Sequence, residues 1–148
     1  MKNDGKNRLE TMIGKLKGNG YKITPQRLAI LKILSTSIGH PSVEKIYEQV
    51  KKNFPTISRA TVYKNILVIK DLGEVLELAF SNDSNRYDGH LPHPHPHAIC
   101  TECKKIVDSE LEILKDFTQK VREETGFRIY DHRIDFFGLC PDCQKNKE

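Results

Sequence analysis

Tryptophan is absent from this sequence, methionine occurs only twice, and apolar residues fill only 37% of its 148 positions. So little apolar mass cannot fill one large core. One medium domain or two small ones packed together are expected. Also missing is any apolar run near the roughly 18 residues that a membrane-spanning helix needs. The opening stretch Met1-Lys2-Asn3-Asp4-Gly5-Lys6 lacks the apolar core of a secretory signal. The expectation is a cytoplasmic protein with no membrane partner. Internal repeats are lacking too, and low complexity is confined to the proline–histidine alternation of residues 91–97.

Charge is present but unevenly placed. Residues 1–88 carry 15 Lys and Arg against 9 Asp and Glu, a balance of +6, whereas residues 89–148 carry 9 against 11, a balance of −2. A polyanion partner for the front half is one reading, and an ordinary solvated surface is the other. Charge alone does not choose between them.

Cysteine is sparse but ordered. Its four copies form two Cys-x-x-Cys pairs, Cys100/Cys103 and Cys140/Cys143, with 36 residues between the pairs. In a reducing cytosol disulfides do not persist. Two such knuckles match a structural Zn2+ held tetrahedrally by four thiolates, with a redox dithiol as the competing reading.

Along the chain, Leu9, Met12, Ile13 and Leu16 recur at helical spacing until Gly18-Asn19-Gly20 stops them. Thr24 caps a second helix with Pro25 at its first position and Leu28, Leu31 and Leu34 as its inner stripe. Ser42 caps a third, which turns Val43, Ile46, Tyr47 and Val50 inward. Ser58 caps a fourth, running to about Leu72 with Gly73 as its stop. Val75, Leu76, Leu78 and Phe80 then read as a strand, residues 81–85 as a polar turn and Arg86-Tyr87-Asp88 as a short returning strand. Helices followed by such a hairpin have the layout of a winged helix-turn-helix. In the back half, residues 97–100 and 105–108 flank the first knuckle as a hairpin. Leu111, Leu114, Phe117 and Val121 mark a helix ended near Gly126, and Phe127, Ile129, Ile134, Phe136 and Leu139 read as strand residues leading to Cys140. The expected class is α+β. Residues 1–88 form a winged-helix domain, 89–96 a hinge, and 97–148 a small α/β domain for dimerisation and metal sensing.

The fourth helix is the candidate reading element. It carries Arg59, Thr61, Tyr63, Lys64 and Asn65, residue types that bind phosphates or base edges in a major groove. A helical wheel sets Thr61, Lys64, Asn65 and Val68 opposite Val62, Ile66 and Ile69, and puts Tyr63 and Arg59 nearer the apolar arc. The same pattern suits a packed helix with a charged outer face.

A second metal constellation surrounds the first knuckle. In an extended segment, His95 and His97 point to one face and can meet one ion. Asp108 lies on the hairpin's other arm, Asp88 closes the wing, and His40 precedes the third helix. Imidazole and carboxylate donors suit an exchangeable Fe2+, Mn2+ or Zn2+, in contrast to the permanent thiolate site. From the residues alone, His40 before Pro41 can equally be a capping or surface residue, and the alternation of His with Pro can be a solvated loop.

Together, Thr24-Pro25-Gln26-Arg27, His40-Pro41-Ser42, residues 58–63 (Ser-Arg-Ala-Thr-Val-Tyr), Arg86-Tyr87-Asp88, residues 95–103 continuing to Asp108, and Cys140-Pro141-Asp142-Cys143 resemble the ferric uptake regulator (Fur) family. The set runs in the right order from about Leu9 to Cys143. It is most similar to the peroxide-responsive branch (PerR), where aspartate stands at the place of Asp108. The resemblance implies zinc on Cys100, Cys103, Cys140 and Cys143, and a regulatory Fe2+ or Mn2+ on His40, Asp88, His95, His97 and Asp108. It implies a homodimeric repressor, not an enzyme, bound to an inverted-repeat operator in double-stranded DNA, with Tyr63 reading bases and Lys15 near the minor groove. Peroxide would act through Fe2+-dependent oxidation of a ligand histidine, His40 or His95. His90 and His93 add imidazoles nearby, and His132 is a candidate for a further site. An iron- or zinc-responsive uptake regulator is the alternative within the family. A zinc-dependent hydrolase and a metal-buffering protein are alternatives outside it, the hydrolase disfavoured by the lack of a placed glutamate base.

Overall fold

The computed structural model describes residues 2–36, 39–80, 83–90, 92, 95–109 and 114–146. The chain divides into two compact units, residues 1–93 and 94–148.

In the first unit, α1 (Lys2–Gly18), α2 (Pro25–Thr36), α3 (Val43–Lys51) and α4 (Arg59–Asp71) precede the hairpin of β1 (Leu76–Phe80) and β2 (Asp83–Asp88). Helix α1 begins earlier than the apolar spacing suggested, because its first turns carry no apolar stripe to read. Capping follows the sequence closely. Thr24 Oγ1 accepts from Arg27 N at 3.2 Å, Ser42 Oγ from Lys45 N at 3.3 Å and Ser58 Oγ from Thr61 N at 3.1 Å. At the end of α4, Gly73 adopts φ +76, which lets its N–H reach Lys70 O at 2.9 Å while Glu74 N reaches Ile69 O at 3.1 Å. Those two bonds end the helix and turn the chain into the wing.

The core of this unit is assembled from the expected stripes. Met12 and Leu16 of α1, Ile30, Leu31 and Leu34 of α2, Ile46 and Val50 of α3, and Val62, Ile66 and Ile69 of α4 are all buried together. Leu28, expected among them, is only partly buried. Each fully buried Leu or Ile contributes about 1.5–3 kcal/mol, so the helices hold one another without a ligand.

Strand β2 is longer than Arg86-Tyr87-Asp88, since residues 83–85 pair with β1 instead of turning; Ser81 and Asn82 lie outside the described residues. Beyond the wing, Gly89 passes so close to α2 that a Cβ there would stand 2.7 Å from both Leu34 Cβ and Leu34 O. Gly89→Ala is therefore expected to destabilise the unit by about 1–3 kcal/mol. A urea unfolding midpoint equal to wild type would refute that close packing.

In the second unit, β3 (His97–Cys100), β4 (Ile106–Asp108) and β5 (Asp135–Gly138) form a sheet of order β4-β3-β5. Strand β4 is antiparallel and β5 parallel to β3. Helix α5 (Leu114–Thr125) and a short α6 (Pro141–Lys145) complete the described elements. The expected hairpin around the first knuckle is present, and Gly126 N bonds Arg122 O at 2.8 Å where α5 ends. Leu111 lies outside the described residues. Phe127 and Ile129 do not lie in a strand, contrary to their alternation. A strand needs a neighbouring edge as well as a pattern, and among the described residues of this stretch the hydrogen bonds to β3 involve residues 134–138. Among the described residues, only Ile99, Cys100 and Ile106 of this unit are buried apolar groups, whereas Phe117, Val121, Phe127, Tyr130, Phe136 and Phe137 are exposed.

Candidate metal centres and nucleic-acid interface

The knuckles meet. One sulfur from each of Cys100, Cys103, Cys140 and Cys143 lies within 4.8 Å of the others, and Cys103 Sγ stands 3.7 Å from Cys140 Sγ. Zn–S bonds of about 2.3 Å in a tetrahedron place sulfurs roughly 3.8 Å apart, so the cluster fits zinc. Local backbone explains the arrangement. Lys104 takes φ +65, its N–H donates to Cys100 O at 3.0 Å, and Cys100 N donates to Lys105 O at 2.9 Å, which curls Cys103 back towards Cys100. On the other side, Pro141 opens α6 and places Cys140 just before the helix and Cys143 within it. Hydrogen bonds from the backbone of Cys140 and then of Cys103 lower the Cys100 thiol to about 6, despite burial. One of them is Cys140 N–H to Cys100 Sγ at 3.4 Å. Neighbouring thiols of Cys140 and Cys100 push Cys143 up to about 12. A divalent cation would favour the thiolate form throughout.

Two smaller groups of imidazole and carboxylate lie one in each unit. In the first unit, His40 Nε2 stands 3.1 Å from Asp88 Oδ2, and both side chains are 1% exposed. Asp88 Oδ1 accepts from His90 N at 3.0 Å, while His90 Nδ1 faces Ser35 O at 3.3 Å, away from that pair. His93 lies outside the described residues. In the second unit, His95 Nε2 lies 2.7 Å and His97 Nε2 3.2 Å from the same oxygen, Asp108 Oδ1. The register His97↔Asp108 across β3 and β4 produces this, and the two rings lie 4.3 Å apart. Nitrogen and oxygen donors about 2.1 Å from a shared ion stand roughly 3 Å from each other, so each group has the spacing of metal ligands.

Two flanking residues were given no role at the site by the sequence. Register across β3 and β5 sets Asp135 beside His97, with Oδ1 3.8 Å from its Nδ1. Arg86 donates to the carbonyls of His40 and Gly39, the latter at 2.7 Å. A parallel strand pairing and a contact spanning 46 residues are products of the fold, and no local spacing reports them. His132 belongs to neither group of candidate ligands.

The wing is tied to α4 through Glu77. Its carboxylate accepts from Lys70 Nζ, from Tyr87 Oη at 2.9 Å and from Asn85 Nδ2 at 3.0 Å. Burial opposes ionisation of Glu77, but these three donors outweigh it and hold the group below its ordinary range. Asp88 follows Tyr87 directly, so this network also steadies a candidate ligand.

On α4, Tyr63 and Lys64 are exposed and Thr61 is half-buried, its hydroxyl 2.9 Å from Ser58 Oγ. Arg59 is exposed, paired with Glu44 at 3.1 Å and stacked over Tyr47. Lys15 is exposed on α1. Asn65 departs from expectation. It is buried, with Oδ1 accepting from Arg27 Nε at 2.8 Å and Nδ2 donating to Thr61 O at 2.8 Å. It joins α4 to α2, so the base-contact expectation for Asn65 is withdrawn. The wheel misplaced it because it treats a polar side chain as outward-facing, whereas Arg27 supplies a buried partner. Tyr63 and Arg59 moved the other way, to the surface.

With these elements in place, residues 18–137 match the ferric uptake regulator family. The chain belongs to that family. Its relatives include the peroxide-responsive repressor PerR of Staphylococcus saprophyticus, 45% identical over 136 residues that cover 92% of this chain and 91% of that protein. Among solved structures, PerR from Streptococcus pyogenes is 37% identical, with 92% of each chain covered and a TM-score of 0.53. The peroxide stress regulator of Campylobacter jejuni is 32% identical, covering 88% of this chain and 98% of its own, with a TM-score of 0.70. The winged-helix head and the four-cysteine α/β unit are thus the Fur-family fold. Among the described residues, no helix is long and apolar enough to cross a membrane.

Proposed function

We propose that the chain is a metal-dependent, peroxide-responsive transcriptional repressor that works as a homodimer in the cytoplasm. The observation that carries the reading is a buried His–Asp pair in the winged-helix unit and a His–His–Asp trio in the zinc unit, each at ligand spacing. It is supported by the PerR relatives and by aspartate at position 108. In this reading Cys100, Cys103, Cys140 and Cys143 hold Zn2+ permanently. One exchangeable ion is held by His40 and Asp88 from one unit and by His95, His97 and Asp108 from the other.

An ion held by ligands from both units would fix the angle across residues 89–96, and with it the separation of two α4 helices in a dimer. Dimerisation is supported by the zinc unit itself. It exposes Phe127 at 71% and Tyr130 at 87% while burying few apolar groups of its own, and a second copy would cover such a face. Tyr63 would contact base edges, with Arg59, Thr61 and Lys64 beside it. Lys15, Lys22 and Lys64 would contact phosphates and make binding fall steeply with salt. The two-fold axis of a dimer calls for an inverted-repeat operator.

Fe2+ at the exchangeable site would supply the reaction with hydrogen peroxide, and Mn2+ would occupy the same ligands without it. The chain's own part is to present His40 and His95 as the groups consumed, so the protein registers its signal once and does not turn over as an enzyme. Operator binding measured after metal removal, and again after restoring Fe2+, Mn2+ or Zn2+, tests the reading. A rise of about 5–150-fold on restoration is expected. Binding that is indifferent to the ion would overturn it.

A further inference from the structure

The winged-helix ligand pair depends on a residue that touches neither imidazole nor carboxylate. His40 stands at φ +50, in the left-handed region that a non-glycine residue rarely occupies. Something must hold it there. The Arg86 guanidinium does so by donating through Nε to His40 O and through Nη2 to Gly39 O at 2.7 Å. The backbone adds Tyr87 N to Pro41 O at 3.0 Å and a bridge between Ser42 and Arg86. Asp88, two residues further along the same strand, then meets His40 Nε2 at 3.1 Å. The loop before α3 and the end of the wing are remote in sequence, and Arg86 is the side chain that clamps one onto the other.

We infer that Arg86 is a positioning residue for the exchangeable metal: it holds the His40 backbone in its left-handed turn and so presents the imidazole to the ion together with Asp88. The inference rests on the proposed ligand role of His40. Without the clamp, the loop relaxes to a commoner conformation. The ion must then recover the lost order from its own binding energy, so affinity falls while the thiolate zinc is untouched. Losses of about 10–100-fold are usual when the partner that orients a ligand is removed.

A double-mutant cycle on the full-length, zinc-loaded protein tests this, with Mn2+ affinity read directly by titration. Arg86→Ala should weaken Mn2+ at least about ten-fold, with zinc content unchanged. His40→Ala should weaken it too, and adding Arg86→Ala to His40→Ala should weaken it little further, because the clamp would then hold nothing that binds. Should Arg86→Ala fail to fold, Arg86→Lys carries the same test with charge retained, and an intermediate loss is expected because one ammonium replaces a two-carbonyl fork. Wild-type affinity in the Arg86 variant would overturn the inference, as would equal losses in the presence and absence of His40. No loss in His40→Ala would instead sink the ligand reading beneath it.

Discussion

Cys103→Ser is expected to release the structural zinc and unfold the zinc unit while the helical unit stays folded. Cys103 is exposed, so exchanging its sulfur for oxygen removes almost no packing. Any large loss must come from the missing thiolate. In zinc-finger peptides a structural zinc contributes about 10–16 kcal/mol of folding free energy at neutral pH. Residues 94–148 have few other resources, since Ile99, Cys100 and Ile106 are their only buried apolar groups among the described residues. Zinc per chain should drop from one to none, and amide protection should vanish in β3, β4 and β5 but persist in α2 and α4. Full zinc content with unchanged protection in Cys103→Ser would rule out the four-thiolate site.

Hydrogen peroxide should abolish operator binding by the Fe2+-loaded protein and leave the Mn2+-loaded protein bound. Losing the exchangeable ion removes its whole coupling to DNA, about 5–150-fold in affinity. Because a ligand histidine is consumed, fresh Mn2+ should not restore what was lost. Mass spectrometry should find one added oxygen atom on the peptide containing His40 or His95: the imidazole is oxidised by two electrons and the peroxide is reduced to water. If the Fe2+ form keeps its operator after peroxide, sensing of iron or zinc supply becomes the better account. If binding is lost but returns with fresh metal, the histidines were not consumed and the proposed signal is wrong.

Much of the site was legible because its chemistry is written in short spacings. Cys-x-x-Cys and His-x-His place donors by covalent geometry alone, and Thr24, Ser42 and Ser58 announced their helices through bonds made within three residues. Asp108 was readable as well, since a tight hairpin around the first knuckle leaves little choice about what faces His97. The winged head followed from apolar stripes that one turn of helix repeats. Less legible were the residues whose roles depend on a distant segment. Asn65 looks like a groove-facing amide until Arg27 of α2 is set beside it. Phe127 and Ile129 alternate as strand residues do, yet neither pairs with a strand among the described residues.

The sequence by itself determined the donor inventory, the capping residues of α2, α3 and α4, the basic front half and membership of the Fur family, because each is a property of neighbours in the chain or of composition. Only the tertiary structure decided that the sulfurs of two knuckles separated by 36 residues converge, that Arg86 clamps the His40 turn, and that Asn65 faces inward. The physical reason is the same in each case. A contact between remote segments exists only after packing has met the entropy of closing the loop between them, and no local pattern records which of the many possible closures the core selects.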